Sequence, residues 1–301
     1  MLEYIKKKGD IMRIRNFSKI DLYYFKEIIP DKKCINTEAI LLLIPDKEKK
    51  YKVFKDFYID EGPYFSNKLA TINTLHDYKK EIGINELVYP EELVSVNNNI
   101  KGYLMEHIIG VNLSRSLRNH IVTLEEKIDF LKQVSYTLKK VKELRKIDDF
   151  KDFHIGDLHE DNILIDTDGK IHMLDMDSAK IGGNLPSPSK YLVNLKKKGI
   201  LNSKYKLNSY DNEIIDPNEE TDNYCFSIML LNFLYQDNIT LNSIEHINNY
   251  IDYLSEIGIN KELVDIFYNL YTDKPNFNCS YFLDSINEKV YKKASEYKKG
   301  K

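Results

Sequence analysis

Short apolar runs separated by polar turns fill the first hundred positions of the chain. Ala39–Ile44 and Lys50–Phe54 flank the polar segment Pro45–Lys49, and this arrangement predicts an antiparallel β-hairpin. A helix is predicted at about Tyr64–Lys80. Further strand-like runs follow at Leu87–Tyr89, Leu93–Val96 and Gly102–His107. We therefore expect the first third of the chain to form a sheet with one helix.

The second part of the chain has the spacing of amphipathic helices. Thr123 and Glu126 match the pattern of a capping box, and apolar residues then recur every three or four positions over residues 124–141. The segment Thr221–Tyr235 is apolar on nearly all sides, which is typical of a helix buried inside its domain. Together the patterns predict an α+β protein whose sheet-rich and helical parts join near residues 106–112.

The composition narrows the class of protein. The chain has 301 residues, a net charge of −3 and 42% hydrophobic residues, which excludes a wholly disordered chain. The small net charge gives no electrostatic reason to expect nucleic-acid binding. The longest apolar runs, near Ile40–Ile44 and Tyr224–Leu231, are too short to span a membrane. The Lys-rich segment Met1–Asp10 lacks the apolar core of a secretory signal.

The cysteines point to a reducing compartment. Cys34, Cys225 and Cys279 stand far apart in the sequence, and their spacing fits neither a disulfide framework nor a zinc site. With no membrane segment or secretory signal in view, we expect a cytoplasmic protein.

The segment with the most chemical information is His154–Lys180. Within it, Asn162–Ile165 and Lys170–Leu174 are strand-like runs joined through Asp168-Gly169, a pair typical of two-residue hairpin turns. The segment is therefore expected to contain a short β-hairpin, although a loop longer than two residues would shift its register.

The hairpin brings oxygen-bearing side chains toward one another. A two-residue turn would place Asn162 opposite Asp175 on one face. Asp157 lies in the loop that leads into the hairpin. Carboxylate and amide oxygens suit a hard cation such as Mg²⁺. The alternative is a surface hairpin in which Asp and Asn simply favour turns.

This spacing resembles that of the protein-kinase-like superfamily. In that family an Asp-(x)4-Asn sequence forms the catalytic loop and a second Asp follows the hairpin, and Asp157, Asn162 and Asp175 match these positions. The interval of thirteen residues from Asn162 to Asp175 is the usual one. The resemblance implies a bilobal protein-kinase-like fold, with a small antiparallel-sheet N-lobe at residues 1–106 and a larger helical C-lobe at residues 107–301.

The resemblance also implies an ATP site. The strand Tyr-Lys-Val-Phe-Lys looks like the one that carries the family's ATP-binding lysine, which would be Lys55. In the segment similar to the hinge, Met105 matches the gatekeeper position. Glu106 and Ile108 would offer backbone groups to adenine, and Asn112 would meet the ribose.

The same match implies the roles of the catalytic loop and metal motif. Asp157 would accept or orient the proton of the attacking hydroxyl, while Asn162 and Asp175 would hold Mg²⁺ on the ATP phosphates. Asp177 is either a further metal-facing carboxylate or the cap of a turn. His159 is either near the transferred phosphate or a hydrogen-bonded loop residue.

Asp222 has two interpretations. In protein kinases an Asp at the start of the central C-lobe helix braces the catalytic loop, and Asp222 matches that position. Alternatively Asp222 caps the helix together with Thr221. Leu263–Ile286 is similar to the final helices of the same lobe.

Two expected features of the family are missing. No glycine occurs between Ile20 and Lys55, and Cys34–Glu38 stands where the phosphate-covering glycine loop is expected. We therefore expect ATP to bind more weakly than in kinases with the full set, in the high-micromolar range or above.

The second missing feature is a glutamate in the following helix to pair with Lys55. Residues 67–68, Asn-Lys, fall near that position. Some acid should still approach Lys55, with Asp60 or Glu61 the nearest in sequence and Asp175 able to serve when no metal is bound.

Three functions fit these residues. The first is a Ser/Thr-type protein kinase, in which Pro186–Tyr191 is either a peptide-docking stretch or an ordered turn. The second is a kinase of small-molecule hydroxyls, because Gly156 and His159 give a catalytic loop similar to those of aminoglycoside and choline phosphotransferases. The third is a pseudokinase that only binds nucleotide or a partner. An acidic pocket beyond Asp157 would favour the second, and an open groove beside Ser187–Tyr191 would favour the first.

Overall fold

The computed structural model describes residues 12–28, 38–46, 50–184, 219–235, 244–265, 283 and 286–299. Pro186–Tyr191, most of Leu263–Ile286, Cys34 and Cys279 lie outside these residues. Within the described part, the chain is a mixed α+β structure with a six-stranded mixed sheet and a three-stranded antiparallel sheet.

The strands are β1 (Ile14–Phe17), β2 (Lys26–Glu27), β3 (Ala39–Pro45), β4 (Tyr51–Phe57), β5 (Pro90–Val96), β6 (Asn99–Glu106), β7 (Gly110–Asn112), β8 (Ile163–Asp166) and β9 (Ile171–Met173). The helices are α1 (Lys19–Tyr23), α2 (Gly62–Asp77), α3 (Lys79–Ile82), α4 (Leu113–Arg118), α5 (Leu124–Leu144), α6 (Glu219–Tyr235), α7 (Ile244–Ile257) and α8 (Glu288–Lys299).

The first sheet is mixed, and the prediction of a purely antiparallel sheet is wrong in this respect. Its order is β1-β5-β6-β4-β3-β2, and β1 runs parallel to β5 at the edge. The other four pairs are antiparallel. The edge strand escaped prediction because its four residues, Ile-Arg-Asn-Phe, are too few and too polar to give a strand pattern.

The predicted hairpin is confirmed as β3 and β4, which pair from Ala39 opposite Phe57 to Pro45 opposite Tyr51. The predicted helix that follows is two helices, α2 and α3, with a break at Tyr78. Gly83 ends α3 in the left-handed conformation, which a residue without Cβ adopts freely.

The chain crosses from the first sheet to the second over residues 107–109, between the end of β6 and the start of β7. The second sheet has the order β7-β8-β9. Leu87, predicted as part of a strand, forms a single bridge to Met173 of β9. The two sheets are thus linked both by the chain at residues 107–109 and by the bridge between Leu87 and Met173.

The helices of the second part build the largest hydrophobic core. The side chains of Thr123 and Glu126 each accept a hydrogen bond from the other's backbone N–H, so the predicted capping box at the start of α5 is confirmed. Phe226, Leu230 and Leu234 of α6 are completely buried. The prediction that this helix is buried all round is also confirmed. In the described part of the chain, no helix combines the length and apolar character needed to cross a membrane.

Candidate functional site

Lys55 projects from β4 into a buried group of carboxylates, and only 2% of the residue is exposed. Its Nζ lies 3.2 Å from Oδ1 of Asp175, 2.9 Å from Oδ1 of Asp177 and 3.0 Å from Oε1 of Glu38. The prediction that Asp175 approaches Lys55 is confirmed. It is also the contact that connects a strand of the first sheet to the segment after β9.

The two acids nearest to Lys55 in sequence take other places. Asp60 pairs with Lys101. Glu61 is exposed and precedes the first turn of α2. Both residues follow the end of β4, so they lie beyond the strand that points Lys55 inward. Neither of these two candidates reaches Lys55, and Asp175 is the named acid that does.

A second buried lysine reaches the same carboxylates. Lys68 is 2% exposed, and its Nζ lies 2.7 Å from Oε1 of Glu38 and 2.5 Å from Oδ2 of Asp177. We call Lys55, Lys68, Glu38 and Asp177 the two-lysine cluster. A lysine thus occupies the place near Lys55 where the resemblance implies a glutamate.

Asp177 is the fully buried anion of this cluster. Its Oδ1 accepts hydrogen bonds from Nζ of Lys55 and, at 2.7 Å, from the Tyr103 hydroxyl, and its Oδ2 accepts from Lys68. Burial by itself would raise the pKa of Asp177, but the two ammonium groups outweigh burial and hold that pKa far below its usual value. With both oxygens taken by these donors, Asp177 fits a counter-ion of the lysines better than a metal ligand or a turn cap.

Glu38 covers the cluster on the side that faces solvent. Its side chain is 34% exposed, whereas that of Asp177 has no exposed surface. The Tyr64 hydroxyl donates to Oε2 at 3.1 Å. Burial opposes ionisation, yet the attraction of Lys55 and Lys68 leaves the pKa of Glu38 below its usual value. Glu38 is therefore a carboxylate anion held across both lysines.

The lysines remain charged although they are buried. Burial would lower the pKa of Lys55, but Asp175 and Asp177 hold it well above its usual value. Burial likewise opposes the charge of Lys68, but Asp177, Glu38 and Tyr64 together outweigh it, so the pKa of Lys68 is raised. The site therefore presents two fixed ammonium groups about one shared pair of carboxylates.

Asp175 differs from Asp177 in backbone and in exposure. Its φ of 58° is in the left-handed region, which is uncommon for a residue with a side chain. Its side chain is 28% exposed. Burial raises the pKa of Asp175, and Lys55 opposes this rise. Asp175 thus keeps surface available to a ligand while its position is fixed by an unusual backbone turn.

The register of the β8–β9 hairpin differs from the prediction by one residue. Ile163 faces Met173 and Ile165 faces Ile171, so the loop holds three residues instead of two. The Asp166 carboxylate accepts the backbone N–H of positions 168 and 170, both at 2.9 Å, and this stabilises the longer loop. Asn162 consequently lies beside Leu174, not opposite Asp175.

Asn162 contacts Asp157 instead. Its Nδ2 donates to the backbone oxygen of Asp157 at 3.1 Å and approaches Oδ2 at 3.5 Å. Nε2 of His159 lies 3.8 Å from the same Oδ2. The side chains of Asp157 and His159 are 41% and 48% exposed. The structure thus groups these three predicted residues at an accessible surface.

Asp222 contacts the backbone that leads into this loop. Its Oδ2 accepts the N–H of Ile155 and its Oδ1 accepts the N–H of Gly156, both at 3.1 Å. Because α6 already begins at Glu219, Asp222 lies inside the helix and does not cap it. The interpretation of Asp222 as a brace for the loop before Asp157 is confirmed.

The residues predicted to contact the nucleotide base lie at the end of β6 or directly after it. Met105 is 3% exposed and packs in the core of the first sheet, and Ile108 packs against the same core. Glu106 is exposed. The Asn112 side chain donates to the backbone oxygen of Asp161 at 2.7 Å, which joins β7 to the loop after Asp157.

A cavity of about 130 Å³ lies next to the residues that follow Asp157. Its polar lining includes His159, Asp161, Arg118 and the buried Glu160. Asn232 of α6 donates to Glu160 at 3.0 Å, and Arg118 lies 3.6 Å from the other oxygen of Glu160. Burial raises the pKa of Glu160, and these two residues oppose the rise. The lining of the cavity thus carries two carboxylates and one arginine.

Lys68, Glu38 and Tyr103 are the members of the site that the sequence did not identify. Lys68 carried one signal, because it lies three residues after Phe65 and four before Ile72, on the apolar face of α2. A lysine on such a face needs a buried anion. Nothing in the sequence around Glu38 marked it as that anion.

In the described part of the chain, no three Asp, Glu, His or Cys side chains lie close enough together to hold a metal ion by themselves. A magnesium ion here would need oxygen ligands from its substrate as well, which is how Mg²⁺ is commonly bound at phosphates. No protein-family model matches the chain, and no curated protein matches it.

Proposed function

We propose that the protein is an ATP-dependent phosphotransferase with a bilobal, protein-kinase-like fold. It transfers the γ-phosphate of ATP to a hydroxyl group, with Ser or Thr of a protein as the acceptor. The observation that carries this proposal is the contact of Lys55 with Asp175, because it joins the ATP-binding lysine and the metal-motif aspartate that the resemblance implies. Phosphoryl transfer depends mainly on positioning and on charge neutralisation, which such a contact supplies.

Asp157 is the proton acceptor in this proposal. Its carboxylate is accessible, and Asn162 contacts it from one side. Asp222 holds the preceding backbone through two hydrogen bonds, so the loop before Asp157 is fixed from the centre of the helical part. A positioned base of this kind contributes about 10²–10⁴ in rate.

Asp175 would hold Mg²⁺, and the ion would neutralise the charge of the transferred phosphate. Asn162 does not face Asp175, but because it contacts Asp157 through Nδ2 it would offer its amide oxygen to the same ion. Their carboxylate and amide oxygens are ligands that Mg²⁺ prefers. We leave Asp177 out of this set because its oxygens already accept hydrogen bonds from Lys55, Lys68 and Tyr103.

A second acceptor class has its own support. The acidic cavity beside His159 and Glu160 suits the cationic group of a small amino alcohol. An acceptor bound there would lie next to the loop that carries Asp157. The groove that would indicate a peptide acceptor involves Ser187–Tyr191, which lie outside the described residues.

The test is incubation with labelled ATP and Mg²⁺, alone, with generic protein substrates and with a panel of amino alcohols. We expect label transfer to one acceptor class, and transfer to amino alcohols alone would select the second. Asp157→Asn should lower turnover by about 10²–10⁴ while ATP still binds. The exposed Asp168→Asn, in the hairpin loop, serves as the control for removing one carboxylate.

Two results would contradict the proposal. If the Asp157→Asn protein turned over as fast as the unchanged protein, Asp157 would not be the proton acceptor. ATP binding without transfer to any acceptor would indicate a pseudokinase. The metal assignment has a separate readout: Asp175→Asn should abolish the Mg²⁺ dependence of nucleotide binding measured by calorimetry.

A further inference from the structure

The carboxylate of Glu38 lies across two ammonium groups at the solvent side of a buried site. Its Oε1 is 3.0 Å from Nζ of Lys55 and 2.7 Å from Nζ of Lys68. Both lysine side chains are only 3% exposed, whereas Glu38 is 34% exposed. An anion from solution that approaches both ammonium groups from this side must therefore take the place of Glu38.

We propose that Lys55 and Lys68 together form the binding site for the phosphate chain of a nucleotide, and that Glu38 occupies this site until phosphate displaces it. The inference rests on the proposed function, since it specifies how that site holds the phosphates. Lys68 and Glu38 then act as a second phosphate-binding cation and a built-in competing anion.

The charges of the site favour this exchange. Asp177, with no exposed surface, stays in place between the two lysines, and Asp175 stays 3.2 Å from Nζ of Lys55. Glu38 contributes a single negative charge to the pair of lysines, and a phosphate group contributes more charge and more acceptor oxygens. Displacement of Glu38 thus keeps both lysines paired, so neither buried charge loses its partner.

The same exchange explains how the site functions without a glycine loop. In the family that the chain resembles, backbone N–H groups of that loop cover the phosphates. Here Glu38 is the last residue of the segment that stands in its place, and a second lysine supplies positive charge. The Tyr64 hydroxyl, bonded to Oε2, holds Glu38 in its covering position.

The test uses inorganic tripolyphosphate without metal, titrated by calorimetry. If Glu38 covers the lysines about nine-tenths of the time, Glu38→Gln should bind tripolyphosphate about tenfold more tightly than the unchanged protein. Lys68→Met should weaken binding by about tenfold or more. The exposed Glu61→Gln is the matched control, because it removes the same charge from the same part of the chain. Adenosine affinity should stay the same in all variants.

A second variant keeps every charge in place. Tyr64→Phe removes the hydroxyl that holds Glu38 and retains the ring beside Lys68. It should also tighten tripolyphosphate binding, by less than Glu38→Gln does. If thermal denaturation shows that Glu38→Gln does not fold, the affinity of Tyr64→Phe is the test of the inference.

Unchanged or weaker binding in Glu38→Gln, or the absence of tripolyphosphate binding in the unchanged protein, would overturn the inference. If these affinities shift as expected but the protein transfers no phosphate, the result supports the two-lysine site and contradicts the proposed function. If transfer occurs while Glu38→Gln and Lys68→Met leave tripolyphosphate affinity unchanged, the proposed function stands and this inference falls.

Discussion

His154 is a buried titratable residue outside the two-lysine cluster, and it makes the stability of the protein sensitive to acid. The residue is 7% exposed, and its Nδ1 lies 3.2 Å from Nη1 of Arg145. Burial is the main cause that lowers the pKa of His154 to about 3, and the charges of Arg145 and Lys180 lower it further. His154 is thus neutral in the folded protein and accepts a hydrogen bond from Arg145.

We expect this histidine to destabilise the fold as the pH falls. Its folded-state pKa lies below the unfolded value of 6.5, so the unfolded chain takes up the proton first. The contribution of neutral His154 to the free energy of unfolding is fully present above pH 6.5. It declines from there toward about pH 3, by up to about 1.4 kcal/mol per pH unit. Urea unfolding at several pH values between 5 and 7 measures this slope.

The comparison that isolates the effect is His154→Gln, which keeps a side-chain acceptor for Arg145 but does not titrate. Its free energy of unfolding should fall less steeply with acid than that of the unchanged protein. The exposed His120→Gln should leave the slope unchanged. Identical slopes for His154→Gln and the unchanged protein would contradict the assignment.

At the scale of single residues, the linear motif marked several residues that the structure brings together. Asn162 contacts Asp157, and Asp222 holds the backbone that leads into the same loop. Glu38 and Lys68 were missed because their roles arise only when β3 and α2 pack against β4. A linear motif carries no information about that packing.

At the scale of elements, the position of Lys55 depends on how closely two strands approach each other. Gly102 lies on β6, next to the backbone of Lys55 on β4. A Cβ at this glycine would stand 1.8 Å from the carbonyl oxygen of Lys55, far inside van der Waals contact. Only glycine permits this strand spacing.

Gly102→Ala should therefore move β6 away from β4 and displace Lys55. We expect the free energy of unfolding to fall by about 1–3 kcal/mol, which is typical of overpacking, and tripolyphosphate affinity to fall with it. The neighbouring Lys101→Ala is the control, because the loss of a surface ion pair with Asp60 costs about 1 kcal/mol or less. Urea unfolding that shows equal losses for the two variants would argue against a steric role for Gly102.

Elements with strong periodicity were predictable, and their connections were less so. The capped helix α5 and the buried helix α6 follow from hydrophobic spacing alone. The β8–β9 register differs by one residue because the Asp166 carboxylate favours a three-residue loop. Since successive strand residues point to opposite faces, this single residue removes Asn162 from the place opposite Asp175.

At the scale of the whole molecule, the contacts of Lys55 with Asp175 and Asp177 join the first sheet to the segment that follows β9. A lysine that pointed to solvent, away from every carboxylate, would favour a pseudokinase. Lys55 is instead buried among three carboxylates. The sequence anticipated this pairing from Lys55 and Asp175, but not the additional lysine that shares it.

A ligand that binds the native protein at this junction must raise its stability, and Mg-ATP should do so here. At a concentration about tenfold above the dissociation constant, the stabilisation is about 1.4 kcal/mol, which corresponds to a rise in Tm of about 2 °C for a protein of this size. Because we expect a dissociation constant in the high-micromolar range, millimolar Mg-ATP is the concentration to use. Lys55→Met should abolish most of the rise, whereas the exposed Glu61→Gln should retain it. A thermal scan in which millimolar Mg-ATP leaves Tm unchanged would show that the buried lysines balance the carboxylates of the fold and bind no nucleotide.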